Sequence, residues 1–145
     1  MIIITEAQLD IQSFTNSVLG DENGAVNTFL GVTRNTTAGK AVIKLEYECY
    51  LPMAQKQLEE IRTETLGKWK VTSISIGHRI GTIEIGETSL VVAVSGPHRS
   101  PVFEVCKYIV DRIKEVVPIW KKEFFEDGSV WVDSTNCESQ PDDSI

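Results

Sequence analysis

The chain has 145 residues, 41% hydrophobic and 24% charged, the proportions of one soluble globular domain. No apolar run nears the ~20 residues of a membrane span, the opening Met1-Ile2-Ile3-Ile4-Thr5-Glu6 turns acidic too soon for a signal peptide, and scattered Cys49, Cys106 and Cys137 exclude a disulfide framework or four-cysteine zinc site and suit a reducing cytosol. A net charge of −7 weighs against nucleic acid as the main partner, because neutralising phosphates takes a basic surface.

Ile2–Thr5 reads as a short strand. Thr5 and Gln8 have the spacing of a capping box, which predicts a helix from Thr5 to Gly20 with Leu9, Ile11, Phe14, Val18 and Leu19 on its apolar face. Gly24–Thr33 follows as a strand and 34–40 as a polar loop. Ala41–Tyr50 alternates strictly, with Ile43, Leu45, Tyr47 and Cys49 on one face, the pattern of a half-buried strand. Pro52 suits the first turn of a second helix, whose apolar side carries Met53, Ala54, Leu58, Ile61 and Leu66 and which Gly67 follows.

Val71–Ile80 alternates again, Gly81 and Gly86 punctuate a turn region, and Ser89–Ser95 is a nearly continuous apolar strand. Gly96-Pro97-His98-Arg99-Ser100-Pro101 then leads into a third helix. Ser100 is the expected N-cap and Pro101 the first helical residue; Phe103, Cys106, Ile109, Val110, Ile113 and Val117 form the buried stripe, and Pro118 ends it. Asp127-Gly128 is the strongest hairpin signal, between strands at Ile119–Glu126 and Ser129–Asp133. Residues 134–145 read as a mobile acidic tail. Helices and strands in this order give an α+β fold around a mostly antiparallel sheet, one domain over 1–133 with a C-terminal β-hairpin.

The net charge conceals an asymmetry. Residues 1–97 carry 8 basic and 11 acidic side chains; residues 98–122 carry 6 basic and 3 acidic; residues 123–145 carry 7 acids and no base. A basic island therefore sits inside an acidic chain, with His98 at its head, and local charge of this kind can hold a small anion. The strand–loop–helix at Val91–Val102 concentrates the signal. It delivers His98 and Arg99 to a helix N-terminus, where unpaired backbone N–H groups and the helix dipole favour anions, Arg adds a planar fork and His a titratable proton. Lys114, near the end of the same helix, and Lys121, across Pro118, add two cations; Lys121 and Glu123 share one face of their strand and Lys122 the other. Dipole balance alone also accounts for Lys114, and a solvated helix face for Lys107 and Arg112. Arg34 opens its polar loop as either a substrate clamp or a solvated charge. His78 falls on an apolar strand face, the expectation for a core histidine. No zinc cluster, Walker loop or dinucleotide fingerprint is present, and no cysteine has a cationic, exposed setting that would activate it.

Five motifs stand in register: Gly31-Val32-Thr33-Arg34; Leu45-Glu46-Tyr47-Glu48-Cys49-Tyr50-Leu51-Pro52-Met53-Ala54; His78-Arg79-Ile80-Gly81; Ser95-Gly96-Pro97-His98-Arg99-Ser100; and Val117-Pro118-Ile119-Trp120-Lys121-Lys122-Glu123. In this order and spacing, from about residue 2 to Val132, the chain resembles the family of large, catalytic subunits of molybdopterin synthase. The resemblance implies an α/β-hammerhead portion with an added antiparallel sheet. It implies a sulfurtransferase that converts cyclic pyranopterin monophosphate (precursor Z) into the molybdopterin dithiolene. The sulfur comes from the thiocarboxylated C-terminal glycine of a small ubiquitin-like subunit, in a heterotetramer with a homodimer of large subunits at its centre. Carried over residue by residue, it makes Lys114 and Lys121 catalytic and places substrate contacts at Val32, Thr33, Arg34, His98, Arg99, Lys114, Lys121, Lys122 and Glu123, with no metal and no cofactor. A non-catalytic scaffold that binds the small protein's tail, or a phosphate-binding regulatory domain, are the rival readings. The aromatic residues Trp120, Phe124, Phe125 and Trp131 are expected in the domain core.

Overall fold

In the computed structural model, residues 1–133 are described; the acidic tail and Cys137 lie outside them. The first sheet joins β1 (Ile2–Thr5), β6 (Ser73–Arg79), β8 (Thr88–Gly96) and β2 (Ala25–Val32) in that spatial order. Only the β1–β6 pair is parallel. The second sheet runs β10 (Gly128–Asp133), β9 (Ile119–Phe125), β5 (Lys44–Cys49) and β7 (Gly81–Glu84), all antiparallel. A two-stranded ribbon, β3 (Thr36–Thr37) with β4 (Lys40–Ala41), interrupts the loop expected to be irregular. The α+β expectation holds, with the antiparallel strands divided between two sheets.

β8 explains the arrangement. Its apolar run is buried along both faces: Leu90, Val92 and Val94 face the main core with Ile74 and Ile76, while Val91 and Ala93 meet Phe14 and Val18. Helices α2 (Leu51–Lys68) and α3 (Arg99–Val116) therefore cover one face and α1 (Ile11–Ser17) the other. Val102, Val105, Ile109 and Ile113 of α3 are buried, each contributing roughly 1.5–3 kcal/mol relative to exposure. No helix among the described residues is long and apolar enough to cross a membrane.

Several local expectations are corrected. Helix α1 is shorter than the capping box implied. Asp10, not Thr5, is its N-cap and accepts the Ser13 N–H, while the Thr5 hydroxyl oxygen accepts the Ala7 N–H in a local turn. Gly81 opens strand β7 rather than a turn region; with φ +82° it lets the chain leave the first sheet after β6 and enter the second. Helix α3 begins two residues earlier than expected, with His98 as N-cap and no side-chain cap bond, so Ser100 and Pro101 lie in its first turn. Phe103 is 60% exposed, because the stripe that faces the sheet is set by Val102, Val105 and Cys106. The hairpin forms, but its turn residues are Glu126 and Asp127 rather than Asp127 and Gly128: Phe125 pairs with Gly128, which opens β10. Trp120 and Trp131, placed in the core by their strand spacing, are exposed: they lie on the face of the β9–β10 hairpin opposite the residues that pack inward.

Candidate active site

The register of β5 against β9 builds the densest group of predicted residues. Leu45 pairs with Glu123 and Tyr47 with Lys121, so alternation puts all four side chains on one face. Strand β2 brings Val32 and Arg34 to the same place. The turn between them is anchored from both sides, since the Thr33 N–H donates to the Glu87 carbonyl at 3.0 Å and the Gly86 N–H donates to the Thr33 carbonyl at 2.9 Å. Val32, Arg34, Thr37, Leu45, Tyr47, Lys121 and Glu123 line one pocket. Its free volume is about 20 Å³, room for about one water molecule.

The pocket lining carries two cations, Arg34 and Lys121, against one carboxylate, Glu123. Lys121 Nζ lies 3.4 Å from Glu123 Oε1, with side chains 13% and 4% exposed. Among the described residues, the other carboxylate oxygen of Glu123 is buried and accepts no hydrogen bond, and the buried Thr33 hydroxyl also has no partner. A buried carboxylate oxygen without a donor is costly; a bound N–H or O–H group would satisfy it. Lys122 points to the opposite face, its Nζ 5.2 Å from the Phe124 ring centroid and 5.1 Å from that of Trp131.

Lys114 occupies the last turn of α3, joined to β9 through Val117 and Pro118. His98 and Arg99 are exposed at the other end of that helix. Sixteen residues at the helical rise separate His98 from Lys114 by about 24 Å. The sheet gives the same answer independently. Gly96 pairs with Ala25 at the start of β2, and a Cβ added at Gly24 would meet the Pro97 carbonyl, whereas Arg34 follows the end of that strand. Eight extended residues span roughly 26 Å. The basic island of the sequence is thus split within one chain: Arg34, Lys121 and Glu123 gather in one place and His98–Arg99 stand apart.

Burial holds His78, Cys49 and Cys106 in their neutral forms. His78 is a core histidine, as expected: burial holds its pKa down to about 4, and its Nδ1 lies 2.8 Å from the Arg79 carbonyl. Burial pushes the Cys106 thiol up to about 11 and raises that of Cys49. Among the described residues no group of three or more His, Cys, Asp or Glu could hold a metal. Leu45, Thr37 and Tyr47 line the pocket without having been singled out in the sequence, although the alternation of Leu45 and Tyr47 already put them on one face.

Residues 4–116 match the family model described as "MoaE protein". The chain belongs to the MoaE family. It is 45% identical over 129 residues to the molybdopterin synthase catalytic subunit of Bacillus subtilis, covering 89% of this chain and 82% of that one. It is 39% identical over 137 residues to the protein of the same name from Homo sapiens, covering 94% and 73%. The crystal structure of molybdopterin synthase from Staphylococcus aureus superposes with a TM-score of 0.86 at 42% identity, over 89% of this chain and 94% of that chain. The α+β fold of this MoaE chain is therefore shared in three dimensions as well as in sequence.

Proposed function

We propose that this chain is the catalytic subunit of a molybdopterin synthase. In that role it transfers sulfur from the thiocarboxylated C-terminus of a small ubiquitin-like subunit to cyclic pyranopterin monophosphate, forming the dithiolene. The observation that carries the reading is the buried Lys121–Glu123 pair beside Arg34, in a chain whose named relatives are catalytic subunits of this enzyme.

The chemistry asks little of the protein's own nucleophiles, because the sulfur arrives on the partner. What remains is orientation, proton transfer and stabilisation of negative charge. Lys121 is the acid/base or electrostatic catalyst in the niche. Lys114 acts with it from the end of α3. Arg34, with Val32 and Thr33, holds the substrate at the end of β2, and Glu123 completes its contacts on β9; Lys122, expected among the contacts, faces away from the pocket toward Phe124 and Trp131. His98 and Arg99 bind the phosphate at a helix N-terminus. Their distance from Lys121 within one chain supports a homodimer in which a second copy brings its His98 and Arg99 to the first copy's pocket. Two small subunits complete a heterotetramer, and the assembly works in the cytoplasm.

The deciding experiment combines the chain, the pterin substrate and thiocarboxylated small subunit and measures dithiolene product. Turnover supports the reading; no product under these conditions overturns it.

A further inference from the structure

We propose that Tyr47 is a positioning residue for Lys121 and that His78 holds it from behind; the inference rests on the sulfur-transfer reading of the pocket. Tyr47 is 7% exposed and belongs to the pocket wall. On β5 it stands directly opposite Lys121 of β9 and, on its other flank, opposite Gly81 of β7. Directly opposed residues of antiparallel strands bring their Cβ atoms within about 5.5 Å, so the tyrosine ring bounds the space open to the aliphatic stem of Lys121. The glycine flank contributes no side chain. Lateral support for the ring comes from elsewhere.

That support is His78. The two rings meet edge to face, with centroids 5.1 Å apart and planes at 71°, the geometry that aromatic quadrupoles favour. His78 belongs to β6 in the first sheet and Tyr47 to β5 in the second, so the contact ties the sheets together behind the pocket. The imidazole is itself fixed. It is 4% exposed, and its Nδ1–H donates to the Arg79 carbonyl at 2.8 Å, which sets both tautomer and ring plane. It also stays uncharged at neutral pH, so it adds no second cation behind Lys121.

Lys121 therefore has two restraints: the Glu123 carboxylate at its head and the Tyr47 ring along its stem. A lysine has four rotatable bonds, and displacing a catalytic group by about 1 Å can cost up to a hundredfold in rate. Taking away the ring would free the stem while the carboxylate still attracts the head. The expected loss falls on turnover rather than on binding.

The test uses the full chain with thiocarboxylated small subunit and pterin substrate. Tyr47→Leu should lower kcat by roughly tenfold or more, with KM for the pterin changed by no more than about threefold. Tyr47→Phe, which keeps the ring, should stay within about twofold of wild type. His78→Leu should reproduce part of the Tyr47→Leu loss, and the double variant should be no worse than Tyr47→Leu alone, because both act through one contact. A parallel readout is the 13C signal of Lys121 in reductively methylated protein, which should shift in the Leu variants and not in Tyr47→Phe. An unchanged kcat in a folded Tyr47→Leu variant, a Phe variant as poor as the Leu variant, or additive losses in the double variant would overturn the proposal. If the wild-type chain gives no dithiolene, the sulfur-transfer reading fails. The Lys121 signal still decides whether Tyr47 positions that lysine: an unshifted signal in Tyr47→Leu rules it out.

Discussion

Lys121 Nζ and Glu123 Oε1 sit 3.4 Å apart in a pocket that shields both side chains, while the second carboxylate oxygen has no donor among the described residues. Two residues apart on one strand, they point the same way because the side-chain period of a strand is two. Lys121→Ala should abolish most turnover, by about a hundredfold or more if the ammonium acts in proton transfer. It should also destabilise the fold by about 3 kcal/mol, because it strands a buried carboxylate. Adding Glu123→Ala to Lys121→Ala should recover stability without activity. Urea unfolding together with the dithiolene assay separates the two effects.

Arg34 and His98 lie near opposite ends of the same sheet, and this makes a mixing experiment informative. Lys121→Ala and His98→Ala chains should each be nearly inactive alone. Unfolded and refolded together in equal amounts, they should regain about a quarter of wild-type activity, since half of the random dimers hold one intact composite site. Absence of recovery in a mixture that is dimeric by light scattering would mean that each chain supplies its whole site.

Gly24 fixes the turn that carries His98. A Cβ added there would come within 2.7 Å of the Pro97 carbonyl oxygen, which is backbone and cannot rotate aside. Gly24→Ala should therefore displace the His98–Arg99 turn. The expected result is an increase of about fivefold or more in KM for the pterin phosphate, with a smaller effect on kcat. Steady-state kinetics read this directly, and an unchanged KM would remove Gly24 from the argument.

The pH dependence of stability has a defined sign. His78 binds its proton near pH 4 when folded and near 6.5 in its ordinary state. Between these values the unfolded chain holds more protons than the native one. Stability is complete above about pH 6.5 and declines as pH falls toward 4, by about 3 kcal/mol in all. Glu87, held down to about 2 by hydrogen bonds from the Glu84 backbone, Gln8 and Arg79, adds its loss only as pH falls below about 4.5. Urea titrations from pH 7 to 4.5 should show the slope in wild type and a flatter curve in His78→Leu.

Cys49 and Cys106 should be dispensable for the reaction. Burial raises the thiols of Cys49 and Cys106, which leaves almost no thiolate at neutral pH. Cys49→Ala and Cys106→Ala should transfer sulfur at rates within about twofold of wild type. A loss of more than about tenfold in a folded variant would assign the missing thiol to the chemistry.

The strand alternation at Leu45–Cys49 and the motif Lys121-Lys122-Glu123 made the pocket partly legible before any coordinates: they put Lys121 and Glu123 on one face and Lys122 on the other. His78 was readable as a core residue from its apolar neighbours. Helix limits were less legible. The Thr5 capping box competed with a local turn, and Asp10 won because Phe14 and Val18 must reach Val91 and Ala93. Trp120 and Trp131 misled because alternation fixes which residues share a face but not which face is covered.

Periodicities, turn chemistry, the basic segment and the family are all legible along the chain, since each depends on residue spacing. That the basic segment does not converge in one chain follows from the packing of helix and sheet. A helix of 18 residues holds its ends about 27 Å apart, so charges adjacent in the sequence pattern are carried away from each other. Arg34 and Lys121, 87 positions apart in the chain, meet instead because strand pairing brings distant segments side by side.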